Sequence, residues 1–313
     1  MQSLGSLTTE SRNPRSEHID ELSTLEMLTV INQEDATVAA AVASQLPSVA
    51  TAVDEIAARF AQGGRLFYIG AGTSGRLGVL DASECQPTFS VPPTLVQGLV
   101  AGGDAALRAA SEHSEDSPEE GASDLAAAGF GIANSADPSA PTPDVLVGIA
   151  ASGRTPYVLG ALLHARKLKA FTIGLACVDG SPISKVADLT IAPVTGPEII
   201  TGSTRMKAGT ATKLVLNMLS TGVMIRTGAV YGNLMVNVKP TNDKLIDRAH
   251  RIIMAAVGPD KPIDRFTATR LLIEAGSVKV AVAMHKLGIS RAEAEERITR
   301  AGGSLSKALR AGA

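Results

Sequence analysis

A short apolar run that ends in small residues and continues as Ser-Gly-Arg occurs twice in this chain. The first copy spans residues 67–76 and the second spans residues 148–155. In each copy the apolar run predicts a strand, the glycine predicts a tight turn, and the next residues predict a helix. Helix N-termini offer unpaired backbone N–H groups, and glycine lets a ligand approach closely. A glycine after a strand can also simply turn the chain, but two copies with hydroxyls in register favour a phosphate site.

Apolar strands and helical segments alternate through the middle of the chain. Strands are predicted at residues 65–70, 94–101, 145–150, 170–176 and 189–192. Helices are predicted from residue 76 to about Pro87 and at residues 104–112, 118–128, 156–169 and 206–226. This alternation predicts an α/β fold, with a parallel sheet flanked by helices on both faces. In such sheets ligands bind at the carboxyl ends of the strands, where both Ser-Gly-Arg turns lie.

The two ends of the chain have a different pattern. Apolar residues recur at helical spacing from Asp20 to about Ala61, and the polar stretch before them, residues 9–14, reads by itself as a disordered tail. From about Asp260 onward the pattern predicts three short helices, at residues 266–274, 278–286 and 292–301. We therefore predict a main domain over residues 1–257, with an N-terminal helical extension, and a small C-terminal helical domain over residues 258–313.

Composition narrows the classes of function. The 313 residues are 45% hydrophobic and 19% charged, as in an ordinary globular protein. The formal net charge of -2 argues against a nucleic-acid partner, which requires a basic surface. The longest apolar stretch, residues 214–236, is interrupted by Asn217, Arg226 and Asn233, and the polar N-terminus lacks the apolar core of a signal peptide. These features predict a cytoplasmic protein that does not bind a membrane.

The cysteines and histidines show no pattern of a metal site. Cys85 and Cys177 are too few for a disulfide framework, and each is expected to pack as a small apolar residue. The five histidines form no pair at metal-ligand spacing. We therefore expect neither a metal nor a cofactor.

A third candidate anion site lies directly before the predicted helix at residues 206–226. Hydroxyls, a glycine and two cations occur together at Gly202, Ser203, Thr204, Arg205 and Lys207. A helix cap would account for one hydroxyl but not for the cations. From the three turns, the residues predicted to bind a phosphorylated ligand are Gly72, Thr73, Ser74, Ser152, Gly153, Arg154, Thr155, Ser203, Thr204, Arg205 and Lys207.

Carboxylates that could transfer protons occur at two places. Glu84 lies on the helix that the first turn opens, among small and apolar neighbours that would raise its pKa, although it could also be a solvated carboxylate at a helix end. Glu115 belongs to an acidic run before Pro118. Negative charge is favourable at a helix start, so spacing alone does not choose among the acids of this run.

These stretches together resemble those of the bacterial N-acetylmuramic acid 6-phosphate etherases, which are built on the sugar isomerase (SIS) fold. The related mammalian glucokinase regulatory protein shares part of the pattern in a longer, duplicated chain. The matching stretches are residues 9–14, 22–26, 31–35, 70–75, 81–89, 150–157, 202–212 and 230–236. Two features depart from the family pattern: Gln86 replaces a common proline, and the loop at residues 129–143 is longer than usual.

The resemblance implies a SIS-type α/β fold and a lyase that cleaves the lactyl ether of N-acetylmuramic acid 6-phosphate. The products would be N-acetylglucosamine 6-phosphate and D-lactate, in cell-wall recycling. It places the two catalytic glutamates at Glu84, which we expect to act as the acid, and Glu115, which we expect to act as the base. It also implies a homodimer whose sites are completed by the neighbouring subunit. The alternatives are a sugar-phosphate isomerase or deaminase of the same fold, and a sugar-phosphate-binding regulator without catalysis.

Overall fold

A sheet of short, buried strands forms the centre of the first part of the chain. The computed structural model of the protein describes residues 8–109, 113–132, 140–259 and 261–310. Its strands are β1 (Leu66–Gly70), β2 (Val96–Val100), β3 (Val145–Ile149), β4 (Phe171–Leu175) and β5 (Leu189–Ile191). Every residue of β1 and β3 is buried, as expected for parallel strands that are covered on both faces.

The strand order places a topological switch point between β1 and β3. Among the described residues, five strands form one parallel sheet in the order β2-β1-β3-β4-β5. The chain passes from β1 to β2 at one edge and then returns to β3 on the other side of β1. Gly70 at the end of β1 pairs with Ile149 at the end of β3. The predicted parallel α/β sheet is confirmed, and the two Ser-Gly-Arg turns leave it from adjacent strand ends.

Helices cover both faces of the sheet. Phe67 and Ile69 of β1 share a core with Leu125 and Leu162 on one face, whereas the hydroxyl of Tyr68 reaches the other face. The helices are α1 (Thr24–Asp35), α2 (Val38–Ala43), α3 (Leu46–Phe60), α4 (Gly72–Phe89), α5 (Pro118–Ala127), α6 (Pro156–Lys167), α7 (Ile183–Val186), α8 (Lys207–Arg226), α9 (Asp243–Val257), α10 (Arg265–Ala275), α11 (Val278–Leu287), α12 (Arg291–Arg300) and α13 (Leu305–Arg310).

A buried aspartate joins β1, α4 and α8 beneath the sheet. The Asp81 carboxylate accepts hydrogen bonds from the Tyr68 hydroxyl at 3.0 Å and from the Ser220 hydroxyl at 3.2 Å. The Lys213 ammonium lies 3.8 Å from the same carboxylate. Burial raises the pKa of Asp81, and these hydrogen bonds and the lysine charge offset only part of that rise. This polar cluster fixes α4, which carries the first turn at its N-terminus, against the sheet and α8.

The described residues divide into two compact units. The first comprises the described residues within Met1–Ser83 and Pro93–Ser220, and the second comprises those within Glu84–Pro92 and Thr221–Ala313. The second unit has its own apolar core, built largely from α9, α10 and α11. Its predicted short helices are present as α10, α11 and α12, and the spacing of Ser290 and Glu293 forms a capping box. The predicted domain boundary at residue 257 stays a prediction.

Two expectations from the sequence are wrong. The helix predicted at residues 104–112 is a short 3-10 helix, Gly103–Leu107, in its described part, where Gly102 and Gly103 start the segment with φ of 83° and 66°, outside the helical region. The N-terminal stretch read as a disordered tail forms short 3-10 helices, Thr8–Glu10, Pro14–Ser16 and Ile19–Glu21. In that stretch Thr9, Asn13 and Ser16 are buried.

By length and apolar composition, no single helix among the described residues could cross a membrane. The bent pair Thr24–Ala43 and Leu46–Phe60 meets those criteria only when taken together. The cytoplasmic location stays a prediction.

Candidate active site

The two Ser-Gly-Arg turns lie side by side at the carboxyl edge of the sheet. α4 begins at Gly72, directly after β1, and α6 begins at Pro156, after the turn that follows β3. Because β1 and β3 are paired in register up to Gly70 and Ile149, both turns start at the same level of the sheet. The residues of the two turns that are predicted to bind the phosphorylated ligand are half-buried or exposed, apart from Gly153, which is buried. They are Gly72, Thr73, Ser74, Ser152, Gly153, Arg154 and Thr155.

The second turn depends on glycine at position 153. Gly153 has a φ of 63°, in the left-handed region. Its N–H donates to the Ala150 carbonyl at 2.7 Å, and its carbonyl accepts from the Ile183 N–H at 3.0 Å. A Cβ atom at this position would overlap the buried hydroxyl of Ser181. The turn therefore packs directly on the loop that follows β4, with no room for a side chain.

The third predicted segment lies close to the first Ser-Gly-Arg turn at the N-terminal end of α8. A Cβ atom at Gly209 would lie 3.5 Å from Thr73 Cγ2 and 3.5 Å from the Thr204 carbonyl oxygen, so both residues border the first turn of α8. Ser203 and Thr204 are half-buried, and Arg205 is exposed. The structure thus brings the three hydroxyl-bearing segments to one edge of the first unit.

The N-terminus of α8 is held from two sides by buried carboxylates. Glu198, 1% exposed, accepts the backbone N–H groups of Lys207 and Ala208, both at 2.9 Å. The Lys207 ammonium, which we predicted to bind phosphate, donates to Glu34 at 2.7 Å, and Lys207 is only 2% exposed. Both the first backbone donors of α8 and the Lys207 charge therefore have internal partners, and the other predicted phosphate-binding residues of this segment, Ser203, Thr204 and Arg205, are half-buried or exposed.

Glu34 is ionised because its partners outweigh its burial. Burial by itself would raise the pKa of the Glu34 carboxyl. Hydrogen bonds from Lys207 and Asn13, together with the charges of Lys207 and Arg15, outweigh that effect, so the pKa of Glu34 lies below its ordinary value. Neither Glu34 nor Glu198 was singled out by the sequence, since each is recognised only through partners that the fold brings to it.

Glu115 is held near the second turn by a close contact between α5 and α6. It ends a 3-10 turn, His113–Glu115, that contacts α6, and α5 begins three residues later at Pro118. A Cβ atom at Gly160 of α6 would overlap the Pro118 carbonyl, and one at Gly121 of α5 would overlap the Tyr157 carbonyl. The two helix backbones therefore touch, and this contact holds the exposed Glu115 beside the helix that leaves the second turn.

Arg76, the arginine of the first Ser-Gly-Arg sequence, binds protein carbonyls. Its Nε donates to the Ala106 carbonyl at 2.9 Å, and its Nη2 donates to the Ala109 carbonyl at 3.2 Å. It thereby ties α4 to the segment that leads towards Glu115. The sequence motif marked the turn correctly but gave no sign of this role.

Glu84 lies on α4, three residues after Asp81, and is exposed. The apolar surroundings predicted for it are therefore absent from the described residues of the single chain.

The two cysteines are packed in the interior. Cys85 is buried, and burial raises the pKa of the other cysteine, Cys177, to about 12, as expected for an unreactive packed thiol. Within residues 8–109, 113–132, 140–259 and 261–310, no three His, Cys, Asp or Glu side chains are grouped in a way that could hold a metal ion.

The topology and the converging turns define a doubly wound parallel α/β domain with its candidate site at the switch point. The family model described as "Glucokinase regulatory protein N-terminal SIS domain" matches residues 48–166. A solved phosphoheptose isomerase from Francisella tularensis is 16% identical, with a TM-score of 0.47, and the match covers 64% of this chain and 98% of that chain.

Curated relatives match nearly the whole chain. The N-acetylmuramic acid 6-phosphate etherase of Aeromonas hydrophila is 54% identical over 97% of this chain and 98% of its own length. Those of Photorhabdus laumondii and Rhodopirellula baltica are 51% and 50% identical, over 98% and 99% of this chain and 98% of their own lengths. The chain belongs to the family of N-acetylmuramic acid 6-phosphate etherases, and the predicted resemblance is confirmed.

The packing of Gly153 predicts a large difference between two glycine substitutions. Gly180 also has a positive φ, 60°, but a Cβ there meets nothing within 4 Å. Gly180→Ala should therefore cost only about 1 kcal/mol of backbone strain. Gly153→Ala adds an overlap with Ser181 and should weaken the binding of N-acetylglucosamine 6-phosphate by about tenfold or more, a loss of about 1.4 kcal/mol. Calorimetric titration of both variants checks this, and equal affinities would contradict the described packing.

Proposed function

We propose that this protein cleaves the D-lactyl ether of N-acetylmuramic acid 6-phosphate, giving N-acetylglucosamine 6-phosphate and D-lactate. The observation that carries the proposal is the 50–54% identity to etherases along almost the whole chain. The switch-point site supports it, because all three segments offer hydroxyls to a phosphate group and the first two also lead into the N-termini of α4 and α6. We also infer that the product enters amino-sugar recycling.

The 6-phosphate is the anchor of the substrate in this proposal. Ser74, Ser152, Ser203 and Thr204 provide hydroxyl donors from three different segments. Arg154 and Arg205 contribute positive charge beside the turns, and Lys207 stabilises the third segment from within. Binding the phosphate at a distance from the reacting carbons lets that binding energy orient the sugar.

The chemistry is an elimination followed by addition of water. When the sugar ring opens, C1 becomes an aldehyde and the proton on C2 becomes acidic. A base removes that proton, and an acid protonates the lactate oxygen as the C3–O bond breaks. The resulting unsaturated aldehyde then takes up water at C3. Each proton transfer by a positioned carboxyl group contributes about a hundredfold or more to the rate.

Glu115 is proposed as the base and Glu84 as the acid. The α5–α6 contact gives Glu115 a fixed place beside the second turn. Glu84 belongs to α4, whose N-terminus forms the first turn. A general acid must hold its proton near neutral pH, and a carboxyl group does so more readily when water is excluded from it.

We propose that the protein is a homodimer and that the second subunit excludes water from the Glu84 carboxyl group. Leu80 and Glu84 are four residues apart on α4 and are both exposed, as are Leu25 and Leu28 of α1. A second subunit packed on the face of α4 would bury the apolar side chain and enclose the carboxylate. Light scattering should give twice the 32.1 kDa chain mass, and Leu80→Glu should lower it towards one chain. A monomeric wild-type protein would contradict this proposal.

The two glutamate roles are separable by hydrogen exchange. With N-acetylmuramic acid 6-phosphate in D₂O, Glu84→Gln should release almost no D-lactate, yet the C2 proton should still exchange, because proton removal needs only the base and the open-chain aldehyde. Glu115→Gln should suppress exchange and cleavage together. Mass spectrometry of recovered substrate and an enzymatic lactate assay measure both quantities.

Glu119→Gln is the matched control, since Glu119 is another exposed acid near the start of α5. It should keep both activities. Exchange retained in Glu115→Gln and lost in Glu84→Gln would reverse the two roles, and near-normal turnover in both variants would refute the mechanism. A wild-type protein that binds the sugar phosphate but releases no lactate would instead favour the isomerase or regulator alternatives.

A further inference from the structure

The N-terminal stretch of the chain contacts the segment that carries Ser203 and Thr204. The Asn13 amide donates to the Pro197 carbonyl at 3.3 Å, and the Ser16 hydroxyl donates to the Ile199 carbonyl at 2.7 Å. Further along, a Cβ atom at Gly202 would lie 3.2 Å from a carboxylate oxygen of Glu10. Residues 9–16, called here the N-terminal strap, therefore lie against residues 196–206, called the 196–206 loop, at three points.

A buried carboxylate also links the strap to the residue that directly follows the loop. Glu34 is 6% exposed and accepts from Asn13 Nδ2 at 2.8 Å and from Lys207 Nζ at 2.7 Å. Arg15 Nη1 lies 3.0 Å from its other oxygen. Asn13 also accepts the Arg15 backbone N–H, which fixes the turn of the strap. One carboxylate thus joins the strap to the first residue of α8.

The loop is closed at its base by a second carboxylate. Glu198, near the beginning of the loop, accepts the backbone N–H groups of Lys207 and Ala208 at its end. The residues between Glu198 and Lys207 therefore form a loop whose two ends are hydrogen-bonded to each other, and Ser203 and Thr204 lie near the end of that loop. Lys207 is held through its backbone by Glu198 and through its side chain by Glu34. Two buried carboxylates therefore fix the end of the loop.

The most buried residue of α1 is charged, while the apolar residues of the same helix face, Met27, Val30 and Ile31, are half-buried. Among the residues of α1, all of which are described, Glu34 alone is buried. Burying an ion pair is a costly way to attach a helix, and well-packed apolar side chains would stabilise the fold as well or better. What a fully hydrogen-bonded pair provides is a defined geometry, since its donors and acceptors fit in one arrangement only.

We propose that the strap and the Glu34–Lys207 pair hold the 196–206 loop in the conformation that binds the substrate phosphate, with Glu34 as the positioning residue. The proposal rests on the proposed function. Glu34 is buried and touches no ligand in this account, and it acts on Ser203 and Thr204 through Lys207 and the strap. The stretch of residues 9–14, which the sequence alone left as a tail, thereby gains a role in the site.

Kinetics distinguish this role from a merely structural one. Loss of folded protein lowers the apparent kcat and leaves KM unchanged, whereas a loosened phosphate loop raises KM. In Glu34→Gln, the KM for N-acetylmuramic acid 6-phosphate should rise by about tenfold to a hundredfold, as expected for a misplacement of the order of 1 Å. The inhibition constant of inorganic phosphate should rise in parallel, and kcat per folded molecule should stay within about threefold.

Asp35→Asn is the matched control, because it removes the same charge from the exposed neighbouring residue. It should leave KM unchanged. If Glu34→Gln does not fold, Ser16→Ala removes one strap hydrogen bond and should raise KM by about threefold, which is close to the worth of one hydrogen bond. An unchanged KM with a lowered kcat in the folded variants would overturn the proposal.

Failure of the proposed function would look different. If the wild-type protein releases no lactate, the affinities for N-acetylglucosamine 6-phosphate and inorganic phosphate still test the loop. Weaker binding in Glu34→Gln than in Asp35→Asn supports the proposal, and equal binding refutes it.

Discussion

The pairing of β1 with β3 is the constraint on which the candidate site depends. The chain adds β2 on one side of β1 and the remaining strands on the other, so the ends of β1 and β3 open towards the same crevice. Register pairing up to Gly70 and Ile149 then sets the two Ser-Gly-Arg turns at one level. A shift of this register by one residue would also move every side chain of β1 to the opposite face, away from its core.

Two kinds of close contact turn this crevice into a defined site. Backbone-to-backbone contacts at Gly121 and Gly160 fix the helices beside Glu115, and Gly153 lets the second turn pack on the loop after β4. Buried carboxylates act elsewhere: Glu198 and Glu34 fix the start of α8, and Asp81 fixes α4. The flexible groups that would contact a ligand, the serine and threonine hydroxyls, therefore lie on rigid supports, which is what catalysis by orientation requires.

Much of the fold, and the sheet edge at which the candidate site is proposed, could be predicted from local patterns. All the predicted strands are present, because short buried runs between glycines and helices are a local signal. The helix predicted at residues 104–112 is wrong in its described part because Gly102 and Gly103 start the segment with positive φ. The N-terminal strap was missed because its partners lie far away in sequence. Asn13 meets Pro197 across 184 positions and Glu34 meets Lys207 across 173. Lys207 was predicted to bind phosphate for the same reason, since the sequence does not show that its ammonium group forms an ion pair with the distant Glu34.

We propose that a phosphorylated sugar bound at the switch point loses its lactyl group by elimination and then gains water at C3. Turnover in H₂¹⁸O, followed by mass spectrometry of both products, tests this most directly. In this account the C3–O bond breaks, so lactate keeps the ether oxygen and remains unlabelled, whereas N-acetylglucosamine 6-phosphate carries ¹⁸O at C3. Label in the newly formed hydroxyl of lactate, with none at C3 of the sugar, would mean that the other C–O bond breaks and would contradict the account.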